Sequence, residues 1–392
     1  MAGPSHHYLP AGFIGRFSAD TSGSSRERSL FVLEAGQNSP AITLAERIGC
    51  ENDLYTLYGA HNNQAPDAVD NVWSQYEQKL GPALDELSRP GQKTISANTW
   101  LRVLVPFVTG LFVRGAEFGK RYESRPVLKS LYDDKKVFGT PELRSDNTNN
   151  SRVIEFQRLL APVMSARWVV MHTKGEHPVI TNELGFTVFQ PPYGSDPGIA
   201  IPIGPNTILG IIRTWPTHGR LIMQDGGTGQ WRTLIEHRTL TENDQKNFNE
   251  AMADISDGFI AGPTAESLEP HKEALARTKL KAEIVEAFWP NPLIRVAHEF
   301  EWYRAVTAIS QKSGNLNQAA LQNRDWSVIG KDWAPMVILP LNLKDFPSGM
   351  ILQKDKIGLS MTEVPGFTDG AKNSPYVITG KPKDTQTTGT DT

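Results

Sequence analysis

The chain is nearly without cysteine: Cys50 is the only one in 392 residues. That excludes an intrachain disulfide and any zinc site built on several thiolates from one chain, and it fits a reducing compartment. Net charge is also scarce, at −3 from 40 basic and 43 acidic side chains. No global basic field exists to hold nucleic acid or anionic lipid, although a local patch is not excluded. Membrane-length hydrophobic runs are missing too. The apolar stretch from Val103 to Val113 is interrupted by Pro106 and Gly110 and lies between Arg102 and Arg114, which is too short and broken for a bilayer. The first residues, MAGPSHHYLPAGF, lack the basic start and apolar segment of a secretory signal. A cytoplasmic protein with no membrane partner and no disulfide-linked partner is therefore expected. Several reaction signatures are absent as well. There is no Gly-x-Ser-x-Gly elbow. The glycines at Gly226 to Gly229 lack the lysine and following helix of a phosphate loop. His298–Glu299 opens like a zinc-protease helix but has Trp302 where the second histidine belongs. No repeat of solenoid length occurs.

What is present centres on Trp100 to Phe118, WLRVLVPFVTGLFVRGAEF. Its apolar residues cover nearly every face of a helix, which predicts a core helix buried all round, kinked where Pro106 removes a backbone donor. A second helix is expected upstream, with Val72, Trp73, Tyr76, Leu80, Ala83, Leu84 and Leu87 at helical spacing. Its short link to the first makes the two antiparallel neighbours. LFVLEAG from Leu30 reads as a strand, ITLAERIGCENDLYTLY as a short helix followed by a strand or loop, and residues 123–150 as a polar connection. After a helix from Val153, the runs ARWVVMHT, HPVITNELGFTVFQ, GIAIPIG and TILGIIRTW predict a sheet. LIMQDGGTGQWRTLIEH predicts two strands about a glycine turn. Thr241 and Asp244 have capping-box spacing at the start of a helix carrying Phe248, Met252 and Ile255. The fold class expected is α+β: a buried helix pair, a mostly antiparallel sheet and a helical C-terminal extension. The domains expected are residues 1–264, an extension over 265–372 packed on the first, and a disordered tail over 373–392.

The opening motif also carries a resemblance. His6, His7, Tyr8, Pro10, Phe13, Arg16 and Phe17, then Asp53 and Tyr55, Glu77 on the first helix and Arg114 after the buried one, resemble the pattern of the bacterial family catalogued as domain of unknown function 4238. Thr181 to Gly185 is similar to that family's Thr-Ser-Asp-Asn-Pro strand end but departs from it in four of five places, keeping an acid as Glu183. Pro202 to Pro205, Asn249 and Phe259 look like its later matches. The resemblance covers roughly residues 6–264 and implies the α+β fold and a bacterial source. It assigns no activity.

Two functional classes follow. In the first, the protein is a metal-dependent hydrolase or nuclease-like enzyme acting on phosphodiesters. His6 or His7 would be base or ligand, and His7, Asp53 and Glu183 would bind Mg²⁺ or Mn²⁺. Arg16 or Arg114 would stabilise developing charge. In the second, it is a non-catalytic binding or regulatory protein of a bacterial defence or mobile gene set, with nucleic acid a candidate partner and the His-His segment a structural hook. Adjacent residues on a strand face opposite ways, so at most one of the two histidines faces a given site. Arg114 also has a local explanation, an ion pair with Glu117 three residues on. His172 and His177 fall in or beside the strands at no diagnostic spacing. Convergence separates the classes, since the enzyme requires a histidine, Glu183 and an arginine to line one pocket.

Overall fold

The computed structural model describes residues 4–59, 65–123, 140–174, 177–189, 198–212, 222–224 and 231–275, and four strand segments at 336–338, 350–352, 359–363 and 376–380. In chain order the N-terminal part runs β1 (Ser5–His7), α1 (Ala11–Ile14), β2 (Ser29–Glu34), β3 (Ala41–Leu44) and β4 (Cys50–Asn52). The helix predicted for the ITLAER stretch is thus β3 followed by one 3₁₀ turn, Ala45–Arg47. Its β-branched Ile42 and Thr43 pair with Phe31 and Leu30 of β2, a tertiary contact that overrides the weak local helix preference.

The helix expected over residues 72–87 is two, α2 (Asp70–Glu77) and α3 (Leu80–Ser88), interrupted at Gln78–Lys79. The link to the core helix contains β5 (Thr94–Ser96). Ser96 then caps α4 (Ala97–Thr99), accepting from the Thr99 N–H. A π-helical turn follows over Trp100–Leu104, and α5 (Val105–Arg114) carries Pro106 in its first turn. Proline's missing donor and bulky ring are tolerated there because the preceding turn is widened. All ten residues of α5 are buried. The helix stops at Arg114, where Gly115 turns extended at φ −54°, ψ 149°, so the expected span to Phe118 divides into α5 and α6 (Ala116–Glu123).

Gly110 is required by packing. A Cβ there would lie 2.4 Å from the Tyr76 hydroxyl oxygen, closer than atoms can approach. Gly110→Ala is expected to cost about 1–3 kcal/mol by overpacking, read as a lowered urea midpoint at unchanged slope. An unchanged midpoint would show that Tyr76 has room to move.

Next comes α7 (Pro141–Ser165), which absorbs the polar stretch expected to be a connection. Asn149, Arg152, Phe156, Leu159, Leu160 and Val163 are buried at helical spacing. The polar half of this face meets polar partners, so hydrophobicity alone hides it. The sheet region supplies β6 (Arg167–His172), β7 (Thr181–Asn182), β8 (Thr187–Phe189), β9 (Gly198–Gly204), β10 (Thr207–Ile212), β11 (Ile222–Gln224), β12 (Trp231–Leu234) and β13 (Glu236–Thr239). After it come α8 (Glu242–Asp254), β14 (Phe259–Gly262) and α9 (Lys272–Leu275). The capping box forms as predicted: Thr241 accepts from the Asp244 N–H and Asp244 accepts from the Thr241 N–H. The remaining strands are β15 (Met336–Ile338), β16 (Met350–Leu352), β17 (Leu359–Glu363) and β18 (Tyr376–Gly380). β18 occupies five residues of the stretch expected to lack order. The glycine turn at 226–229 and the helices expected past 276 lie outside the described residues.

The sheets have orders β1-β4, β3-β2-β14-β7, β13-β6-β10-β9-β8, β11-β12-β5 and β15-β16-β18-β17. Among the described strands two pairings are parallel, β13–β6 and β16–β18, and the rest are antiparallel. The α+β architecture expected is therefore the one formed. β9 carries Pro202 although it lies inside its sheet. β8 pairs only as far as Ala200, and the β9–β10 register slips between Thr207 and Ile208, leaving Ile203 as the extra residue of a bulge. One large apolar cluster surrounds α5 and joins α2, α3, α7 and the inner residues of β6, β9 and β10. A second gathers Phe248, Met252 and Ala253 of α8 against Val179, Ile180 and Ile260. Among the described residues no helix is long and apolar enough to cross a membrane.

Candidate functional site

β1 lies against β4 with His6 opposite Glu51 and His7 opposite Cys50. The strand's alternation buries His6, at 6% exposure, and leaves His7 half-buried. His6 Nδ1 accepts the Tyr55 backbone N–H at 3.2 Å, and the two rings lie 5.4 Å apart. His7 Nε2 is 3.0 Å from the Glu46 carbonyl oxygen. A carbonyl only accepts, so Nε2 carries the proton and Nδ1 keeps its lone pair. Burial lowers the His7 pKa below the ordinary imidazole value, and the bond to Glu46 opposes that shift.

Behind β1 stands Arg114, the last residue of α5, 2% exposed. Its guanidinium donates to the His7 carbonyl and, at 3.1 Å, to the Tyr76 hydroxyl. It pairs with Glu77 at 2.5 Å and lies 5.5 Å above the Trp73 ring. The local pair with Glu117 does not form: Glu117 binds Lys120 instead. Arg114 points back into the α2–α5 interface, whereas Glu117 belongs to the next helix beyond the Gly115 break. The Tyr55 hydroxyl donates to the Arg114 carbonyl at 2.8 Å. A second buried arginine, Arg152 of α7, donates to the carbonyls of Val113 and Gly115 and lies 4.9 Å over the Phe118 ring. Arg152 thus meets the negative end of α5, where a helix C-terminus favours a cation.

The other predicted residues lie elsewhere. Arg16 donates through Nε to the Ile203 carbonyl at 2.7 Å and pairs with Asp85 at 2.7 Å. Ile203 is the bulged residue of β9, so Arg16 satisfies a carbonyl that the strand ladder leaves open. Asp53 sits in the turn after β4 with φ at 58°, and its carboxylate accepts from the Thr56 hydroxyl at 3.2 Å. Glu183 lies in the turn after β7. Its carboxylate accepts from the Ser256 hydroxyl and from the backbone N–H groups of Asp257, Gly258 and Phe259 at 2.6, 3.1 and 3.2 Å. Burial pushes the Glu183 carboxyl up from the usual range, against the pull of those donors. The turn itself is made by Asn182, whose Oδ1 accepts from the N–H groups of Leu184 and Gly185, with Gly185 at φ +73°.

His6, His7 and Arg114 therefore come together, joined by Tyr55, Tyr76 and Glu77. Arg16 lies apart, at the β9 bulge, and Asp53 in the turn after β4, whereas Glu183 stands near the same motif, where burial and the Glu183 charge together raise the pKa of the Tyr8 phenol. The Asp53 carboxylate accepts within its own turn and that of Glu183 from residues 256–259. Among the described residues no three His, Cys, Asp or Glu side chains are arranged to hold a metal ion. Sequence reasoning left out Tyr76, Asn149 and Arg152. Arg152 was the legible one, standing one turn before Phe156, where the buried face of α7 turns apolar.

Glu183→Ala strands four donors at once, three of them backbone. It is expected to lose about 1–3 kcal/mol of stability, and Glu183→Gln less because one oxygen still accepts. Chemical denaturation of the two variants checks the order. Equal losses would mean that the charge, rather than the acceptors, matters.

These features define an α+β protein whose N-terminal His-His strand is locked onto the C-terminal end of a buried helix by an arginine. The sequence pattern described as protein of unknown function (DUF4238) matches residues 5–266, and the chain belongs to that family. No curated protein and no solved structure matches it.

Proposed function

We propose that this protein is a non-catalytic binding or regulatory protein and that its His-His-Tyr-x-Pro motif is a structural clasp. The observation that carries the reading is that the candidate catalytic groups are already engaged within the fold. Arg16, Arg114 and Glu183 are each committed to separate intramolecular partners. A phosphodiesterase would need a base, a carboxylate and a cation around one reacting phosphorus. The clasp reading instead gives each motif residue a task. His6 holds the Tyr55 backbone, His7 holds the Glu46 carbonyl, and Arg114 ties β1 to α2 and α5.

One observation favours a second reading, hydrolysis with His7 as base. Its Nδ1 lone pair is free of a proton, its pKa is lowered, and the Glu77–Arg114 pair stands beside it. The deciding experiment incubates RNA, single-stranded DNA and duplex DNA with the wild type and with His7→Ala, in Mg²⁺, in Mn²⁺ and in chelator. Both proteins are expected to leave every substrate intact, while gel retardation of the same mixtures scores nucleic acid as a partner. Cleavage by the wild type that a folded His7→Ala lacks would overturn the binding reading. Its dependence on chelator would decide whether a metal takes part.

A further inference from the structure

His172 on β6 and His237 on β13 lie beyond the clasp, and no feature of the sequence singled out His237. The two strands run parallel, with Thr239 opposite His172 and His237 opposite Val170. Both rings therefore emerge on one face, diagonally placed. His172 Nε2 and His237 Nδ1 are 2.8 Å apart, and the ring planes differ by 9°. The 5.1 Å between ring centres is that bond plus one ring radius on each side. The imidazoles thus meet edge to edge in a common plane, nitrogen facing nitrogen, rather than stacking face to face. In that geometry one ring donates its N–H along the axis of the other's lone pair.

We propose that His172 and His237 form a proton-sharing latch that holds β13 to its sheet when neutral and releases it on acidification. β13 is the outer strand of the five-stranded sheet, joined to it by β6 alone. A first proton taken on the donor ring's other nitrogen leaves the bond in place, whereas with both imidazoles protonated two N–H groups would face each other and no acceptor would remain. Among the described residues no side-chain carboxylate, arginine or lysine offsets this. Beyond burial and each other, the group that acts on the pair is the Gln92 backbone, whose bond to His237 works against the lowering. Thr239 and Thr207, which flank His172 from β13 and β10, are neutral. Glu236 and Arg238, on either side of His237, are paired with Arg167 and with each other. Burial lowers both imidazoles below the ordinary value. The folded pair therefore resists protons that the unfolded chain accepts, and its contribution is present above about pH 6.5 and declines as pH falls below it. The effect passes onward, because the His172 carbonyl accepts the Leu240 N–H at 2.9 Å at the entrance to α8. That helix in turn holds residues 178–180 through Asn249.

The test is amide hydrogen exchange of residues 236–239 in the whole protein between pH 7 and pH 5, corrected for intrinsic rates, in the wild type and in the His172→Gln/His237→Gln double variant. The wild type is expected to lose protection by about tenfold or more across this range, since one linked proton changes an equilibrium tenfold per pH unit. The double variant is expected to be flat. Wild-type protection that does not change with pH, or an equal decline in the double variant, would overturn the proposal. Nitrogen NMR of the wild-type rings gives a readout independent of whether the variant folds. The proposal requires the two rings to titrate in coupled steps displaced below the ordinary value, and independent titration at that value would refute it.

Discussion

Replacing Arg114 by methionine is expected to remove about 3–5 kcal/mol of stability, the range for breaking a buried ion pair by deleting one partner. Methionine fills much of the space of the arginine stem, so the loss isolates the polar contacts. The His7 carbonyl, the Tyr76 hydroxyl and the buried oxygen of Glu77 would all lose their partner together. The companion Arg114→Met/Glu77→Gln variant should recover part of the loss, because no lone charge then remains in the interface. Urea denaturation of both variants measures the pattern. A loss under about 1 kcal/mol for Arg114→Met would mean that the guanidinium's desolvation cost cancels its bonds, and Arg114 would no longer count as the element that holds β1.

The second large effect is expected at Gly15, just past α1. A Cβ there would stand 1.6 Å from the Ser25 carbonyl oxygen and 2.6 Å from its carbon. Both obstacles are backbone, so no rotamer change relieves them. The Gly15 backbone itself, at φ −63°, suits any residue, which leaves space as the sole objection. Gly15→Ala is expected to exceed the ~3 kcal/mol typical of overpacking and to yield little folded protein. Gly12→Ala is the internal control, because its Cβ would meet a side-chain oxygen, Ser25 Oγ, at 3.3 Å. That variant should stay within about 1 kcal/mol of wild type. Thermal unfolding of the pair decides the matter, and equal behaviour would show that the segment around Ser25 yields.

What was legible in the chain followed from short-range patterning. The all-round apolar run gave α5, the capping pair gave the start of α8, and the apolar blocks after Ala166 gave the sheet. What was hidden depended on partners far along the chain. Arg114 has an acidic neighbour at the right local spacing, yet it binds Glu77 because the end of α5 lies against α2. The stretch Ser145–Ser151 looks like a connection since nearly every side chain in it is polar. Buried Asp146 and Asn149 nevertheless bond to the backbone of Tyr58 and Thr56. Glu183 stands out in sequence only by its acidity, and its use depends on β14, which lies beside it. His6, His7 and Arg114 stand out in the sequence, but their task does not, since a charged or histidine side chain that anchors backbone looks, in sequence, the same as one that acts on a substrate.

The clasp on β1 has a further consequence for how the chain is made. Arg114, which fastens His7, is made 107 positions after it. At synthesis rates of ~5–20 residues per second that interval is roughly 5–20 s. Throughout it the N-terminal segment has no completed seat. The strand is thus made well before the arginine that docks it, and it must stay unpaired with that partner until α5 is complete.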